Sequence, residues 1–253
     1  STTSTSLQLW NQQNFGEDLI YGPRGQGIYY WNANVGFSSI QITISIAAPG
    51  VITLPTGFSF PDGTTITFTT TGVLPTGLTV GQVYFVVNST GGTFNVSTTI
   101  QGTPITTSGG QSGTQRISQR GIDLADVGDD DTPLFQNFLI VSDASRFVLV
   151  FGTNDYSQTY LNPMLIRWSD QEDPFTWAPQ ATNQAGSLQL SHGSSIITAV
   201  QSRQEIVVFT DSSIYSLQYV GPPFVWTAQL IADNVSIVGP NAAVIASGAV
   251  YWM

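Results

Sequence analysis

The chain has 253 residues, 41% of them hydrophobic, enough for a substantial core in one large β domain or two smaller ones. Charged residues are only 9%, against roughly a quarter in ordinary soluble domains; all six cations are arginine and sixteen acids bring the formal net charge to -10. That balance leaves no basic patch to hold nucleic acid by counterion release. It also excludes a cysteine framework, because no cysteine is present, and a membrane-spanning helix, because no long apolar run occurs.

Helical periodicity is nearly absent, while short apolar runs bounded by Gly, Pro, Asn, Asp and Ser recur about every ten residues. The pattern predicts an all-β fold. STTSTSLQLW at the start lacks the basic and apolar regions of an export signal. DLIYGPRGQGIYYW then reads as strand, turn and strand. From Ile46 to about Ser118 the character shifts to Thr, Gly, Val and Phe, with one acid, Asp62, and one base, Arg116. VITLP, TTITFTTTG, VYFVVN and TFNVSTT are its strands, and the expectation is a small inserted β-sandwich, Ig-like, over 46–118.

After the acidic stretch 123–131, Phe138 to Val141, a Ser142-Asp143 turn, Phe147 to Phe151, a loop through Asn162-Pro163, Met164 to Trp168 and Leu188 to Leu190 form one four-stranded unit. The next unit is clearer: SIITAV, a QSRQ turn, EIVVFT, a DSS turn, IYSLQYV, a GPP turn and FVWTAQLI. AAVIASGAVYWM opens another. The repeat, about sixty residues long, predicts an incomplete β-propeller-like domain over 1–45 and 119–253. The chain starts without Met and stops inside what reads as a buried strand, so a piece of a longer protein is expected.

Several strings carry a resemblance: LWNQQNFGEDLIYGPRGQGIYYW, RWSDQEDPFTW within 163–179, NQAGSLQL, and YVGPPFVWTAQLIADNVSIVGP closing on VYWM. They resemble virion proteins of tailed bacteriophages, of the tail-nozzle or tail-hub type. LPTGLTVGQVYFVVNSTGGTFNVSTT, ending in TSGGQSGTQ, is similar to a small β module of phage tail and fibre proteins. The resemblance implies a subunit of a homo-oligomeric ring, hexameric, that meets other tail proteins in the virion tail. DNA would pass through without sequence recognition, and an acidic lining would keep phosphates from adhering.

The candidate sites each have a structural explanation. Trp168, Asp170, Asp173 and Trp177 of RWSDQEDPFTW are expected in a hairpin, with carboxylates capping turn amides and indoles packed. Pro222, Pro223 and Trp226 mark another turn and its packing residue. Asp123, Asp126, Asp129, Asp130 and Asp131 could chelate calcium, but their spacing matches no EF-hand loop, and a solvated acidic linker is the expectation. No metal or cofactor is expected.

GPRGQG (Gly22, Gly25, Gly27) lacks the Lys-Ser or Lys-Thr of a phosphate cradle. His192 lacks a G-x-S-x-G partner motif. Arg24, Arg167 and Arg203 fall near equivalent turns, where three arginines could converge on a carboxylate or simply pair with acids. Two alternatives stay open beside the structural reading. One is a glycan-binding adhesin using Tyr29, Tyr30 or Trp226. The other is a polysaccharide-cleaving enzyme using two of Glu17, Glu172 and Glu205.

Overall fold

The computed structural model describes residues 8–33, 40–142, 145–203 and 205–253. Most of STTSTSLQLW, Asp143 of the Ser142-Asp143 turn and Gln204 of QSRQ lie outside them. Among the described residues 49% are in strand and 2% in helix, so the fold is all-β, built of several antiparallel sheets. It divides into two compact units, 1–29 with 123–253, and 30–122.

The first sheet runs β1 (Trp10–Phe15), β2 (Asp18–Pro23), β3 (Tyr29–Trp31), β10 (Ile122–Asp123), and the barrel's strands come between β3 and β10 in the chain. Phe15 and Asp18 close the β1–β2 hairpin over Gly16 and Glu17, with Gly16 at φ +67°, the left-handed geometry a two-residue hairpin requires. A four-residue helix, α1 (Leu124–Val127), follows, capped by the Asp123 carboxylate.

The second sheet runs β11 (Phe138–Val141), β12 (Val148–Asn154), β13 (Leu161–Trp168), β14 (Gly186–Gln189). The third runs β15 (Ile196–Gln201), β16 (Ile206–Thr210), β17 (Ser213–Gly221), β18 (Val225–Asp233). A hairpin, β19 (Ala243–Ala246) and β20 (Ala249–Trp252), comes last. The first strands are spatial neighbours in series: β1 contacts β11, β11 contacts β15 and β15 contacts β19.

Middle strands bury both faces. On β16, Ile206 and Val208 join the core shared by the second and third sheets, with Phe151, Ile166, Trp168 and Trp226. Val207 and Phe209 turn to the opposite side, towards Ile214, Ile237 and Val250. Every residue of β12 and β16 is buried, which explains why both read as unbroken apolar runs rather than alternating ones.

The loop expected through Asn162-Pro163 ends earlier, because both residues belong to β13. Pro163 is tolerated there because the β12–β13 register shifts between Phe151 and Thr153, so no ladder N–H is demanded of it. Gly152 makes that bulge at φ +66°, and a Cβ on it would lie 2.6 Å from Asn137 Nδ2.

The second unit differs from the expected sandwich. Strands β4 (Ile40–Ile44), β5 (Ile52–Thr53), β6 (Thr65–Thr70), β7 (Val83–Thr90), β8 (Thr93–Ser97) and β9 (Gln115–Gln119) close into a barrel in the order β4-β5-β8-β7-β6-β9. The seam is β4 against β9, with Ile40 opposite Ile117 and Ile42 opposite Gln115. Closure leaves no free sheet edge, and six short strands enclose only enough space for side chains to fill. The filling includes Phe60 edge-on to Phe94 (5.9 Å) and Phe68 edge-on to Tyr84 (5.4 Å). Because β4 and β9 belong to the barrel, the unit spans 30–122 rather than 46–118.

Candidate functional site

The acidic residues of the first unit are built into its loops. Asp129 Oδ2 accepts from the amides of Trp177 and Ala178, both at 2.7 Å, and its Oδ1 accepts from Asp131 N at 3.2 Å. Asp131 Oδ1 accepts from Ser157 N, and Asp123 Oδ1 from Ala125 N as the α1 cap. Asp126 and Asp130 are exposed. Carboxylates committed to backbone amides are poorly placed to gather round a cation, and no group of three or more acids or histidines able to hold a metal occurs among the described residues. Burial raises the Asp123 carboxyl above its ordinary range, and Asp126 adds to the effect.

RWSDQEDPFTW forms the tight turn after β13. Asp170 Oδ1 accepts from Gln171 N and Gln184 N, while Asp173 accepts from Phe175 N and Thr176 Oγ1. Trp168 sits in the core and donates Nε1–H to Gln184 O at 2.8 Å. Trp177 is wholly buried and donates to Pro174 O at 2.8 Å. Pro222 and Pro223 are exposed in the β17–β18 turn.

The three arginines make separate contacts. Arg24 donates to the carbonyls of Asn137 and Ile197, pinning the β2–β3 turn to the starts of the second and third sheets. Arg167 is fully buried, donates to the carbonyls of Asn154 and Asp131, and lies 4.2 Å from the centre of the Tyr156 ring. Desolvation pulls its pKa below the ordinary arginine value. Arg203 is exposed in the β15–β16 turn and has no hydrogen-bond or ion-pair partner among the described residues.

His192 pairs with Asp233 at 3.3 Å, both about half exposed. Asp233 also accepts from Ser213 Oγ at 2.7 Å, so the serine faces the carboxylate and no serine–histidine nucleophile is formed by this group. Glu17 stands in the β1–β2 turn and Glu172 in the turn after β13, both exposed. Glu205, at the start of β16, accepts from Ser216 Oγ and from Gln218 Nε2. Of the aromatics proposed to stack on sugars, Tyr30 and Trp226 are buried. Tyr29 stacks on Tyr21 at 5.6 Å, and Tyr21 on Trp10 at 6.3 Å.

One concave feature was not anticipated as a site. Where the turns of the second sheet face those of the third, Ser142, Ser145, Gln171, Ser202, Arg203, Glu205, Tyr219 and Trp226 line a cleft of about 150 Å³. Two wider hollows continue from Ser202 and Arg203 towards Gln218 and towards Ser247 and Gly248. Tyr219 packs edge-on to Trp226 at 5.5 Å, and both rings pack on Phe147. The Trp226 indole N–H is buried with no acceptor. Each lining residue is plain in the sequence, but turns some sixty residues apart meet only through sheet stacking.

A second hollow, about 360 Å³, lies along the first strands, between Gln13, Phe138, Ile140, Thr198, Val200, Asn241 and Ala243. None of its described lining residues is charged. No helix among the described residues is long and apolar enough to cross a membrane. Compared with protein-family profiles and with curated proteins, the chain finds no match.

Proposed function

We propose that the chain is a non-enzymatic structural subunit of a bacteriophage tail, of the nozzle or hub type: a β-propeller-like body carrying an inserted barrel. The observation that carries this reading is the series of three four-stranded sheets whose first strands adjoin in chain order, followed by a hairpin that continues the series. Radial repetition of this kind is how propellers arrange their blades around an axis. The use of Asp129, Asp131, Asp170 and Asp173 as loop clamps supports a scaffold rather than a reaction centre.

In this reading copies of the chain form a ring with other tail proteins, and DNA crosses it without being read. Mass spectrometry of purified tail fractions, with electron microscopy of the virions, tests the proposal. The expected result is the chain at a fixed copy number within a ring at the tail; its absence from the particle overturns the proposal.

A further inference from the structure

We propose that the cleft between the second and third sheets is a saccharide-binding site, in which Arg203 and Glu205 take neighbouring sugar hydroxyls against a wall formed by Tyr219 and Trp226. The inference stands apart from the tail reading, since it rests on the cleft alone.

Several observations converge on it. Arg203 is one of only six cations in a chain of net charge -10, yet it stands at the junction of three connected hollows with no partner among the described residues. Its planar fork of N–H donors matches a pair of adjacent oxygens, whether a vicinal diol or a carboxylate. Glu205 accepts from Ser216 and Gln218, which holds a strong acceptor in the same cleft as Arg203. A donor fork and an acceptor lining one cleft suit hydroxyl groups, which both give and accept hydrogen bonds.

The rest of the wall fits the same chemistry. Ser145 and Gln171 add a hydroxyl and an amide from the facing sheet. Tyr219 is 40% exposed and presents an apolar ring surface of the kind that packs against the C–H face of a pyranose. Trp226, packed edge-on behind Tyr219, backs this wall. The cleft, about 150 Å³, accommodates one sugar ring, and the adjoining hollows give a longer chain room to continue. Among the described lining residues Glu205 is the one acid, and the activity proposed for the cleft is binding.

The test is saturation-transfer NMR on the full chain with glucose, galactose, N-acetylglucosamine and glucuronate, followed by tryptophan-fluorescence titration of any sugar that responds. At least one is expected to bind with an affinity on the order of millimolar, as a one-ring ligand allows. Arg203→Ala and Glu205→Gln should each weaken it by roughly tenfold or more while leaving the melting temperature unchanged. Arg203→Lys, which keeps the charge and loses the fork, should fall between. A response to glucuronate alone assigns Arg203 to the carboxylate and still supports the site. Silence from all four sugars, or binding indifferent to both Arg203→Ala and Glu205→Gln, overturns it, whatever the virion fractions show.

Discussion

The stacked sheets and the barrel solve the same problem of β-structure in opposite ways. In the stacked sheets a middle strand such as β16 is apolar on both sides, Ile206 and Val208 serving one core and Val207 and Phe209 another. In the barrel a strand such as β4 is apolar on one side only: Ile40, Ile42 and Ile44 point inward and Gln41 and Thr43 outward. The first arrangement makes each sheet depend on its neighbours, because every face it buries belongs to a shared core. The second is self-contained, since the sheet that has edges to protect is also the one that covers them. Dependence and self-sufficiency predict different responses to damage.

The largest effect should come from cores. Phe151→Ala, which empties a fully buried position between the second and third sheets, is expected to cost about 3–5 kcal/mol and to weaken both sheets together, as read by hydrogen exchange on β12 and β16. Phe68→Ala in the barrel should cost a similar amount but lower only the protection of residues 40–119. Loss of protection in β16 on Phe68→Ala would break the distinction.

Next in size is Arg167→Leu. It removes the donors to two carbonyls in a dry environment and should cost about 3 kcal/mol, measured by denaturant unfolding, with the loops around Asp131 and Asn154 loosening first. Smaller still, Asp129→Ala deprives the Trp177 and Ala178 amides of their acceptor and should cost about 2 kcal/mol, whereas Asp130→Ala, exposed, should be close to neutral. Added calcium should leave both melting temperatures where they were. A calcium-dependent rise abolished by Asp130→Ala would show the cluster to be a metal site after all.

The smallest effect is one of pH. Hydrogen bonds from Ser194 hold the Asp211 carboxyl below its ordinary value of 3.8, and Ser213 and Asn234 do the same for Asp233. A carboxyl whose folded value is depressed stabilises the fold above the unfolded value and loses that contribution as pH falls through the folded one. Both groups are exposed, so the loss is modest, confined to acid below pH 3.8. It should appear as loosening of the 191–195 loop in amide exchange while the barrel is unchanged.

What could be read from the sequence follows the same division. FVLVF and IVVFT announce themselves as buried strands because both faces are covered, and the turns between them carry Asp, Ser, Gly and Pro at close spacing. The barrel's alternation identifies strands but not their closure, since an open sandwich and a closed barrel use the same inward-outward pattern. What decides between them is β9 pairing with both β6 and β4, and QRISQ gives no local sign of two partners. The site residues divide likewise. The short-range caps of Asp170 and Asp173 follow from turn chemistry. The reach of Asp129 to Trp177, forty-eight residues on, and the meeting of Gln171 with Arg203 in one cleft are products of stacking.

The β4–β9 seam also settles what the barrel means to the sheet that hosts it. A chain that leaves β3 and must return to β10 after some ninety residues would ordinarily bear the entropy of a very long loop. Because the barrel's first and last strands run side by side, its entrance and exit are neighbours, and the barrel's own ladder holds the two ends of the insertion together. A module joined in this way can be exchanged for another, or cut back to a few residues, while β3 and β10 keep their pairing.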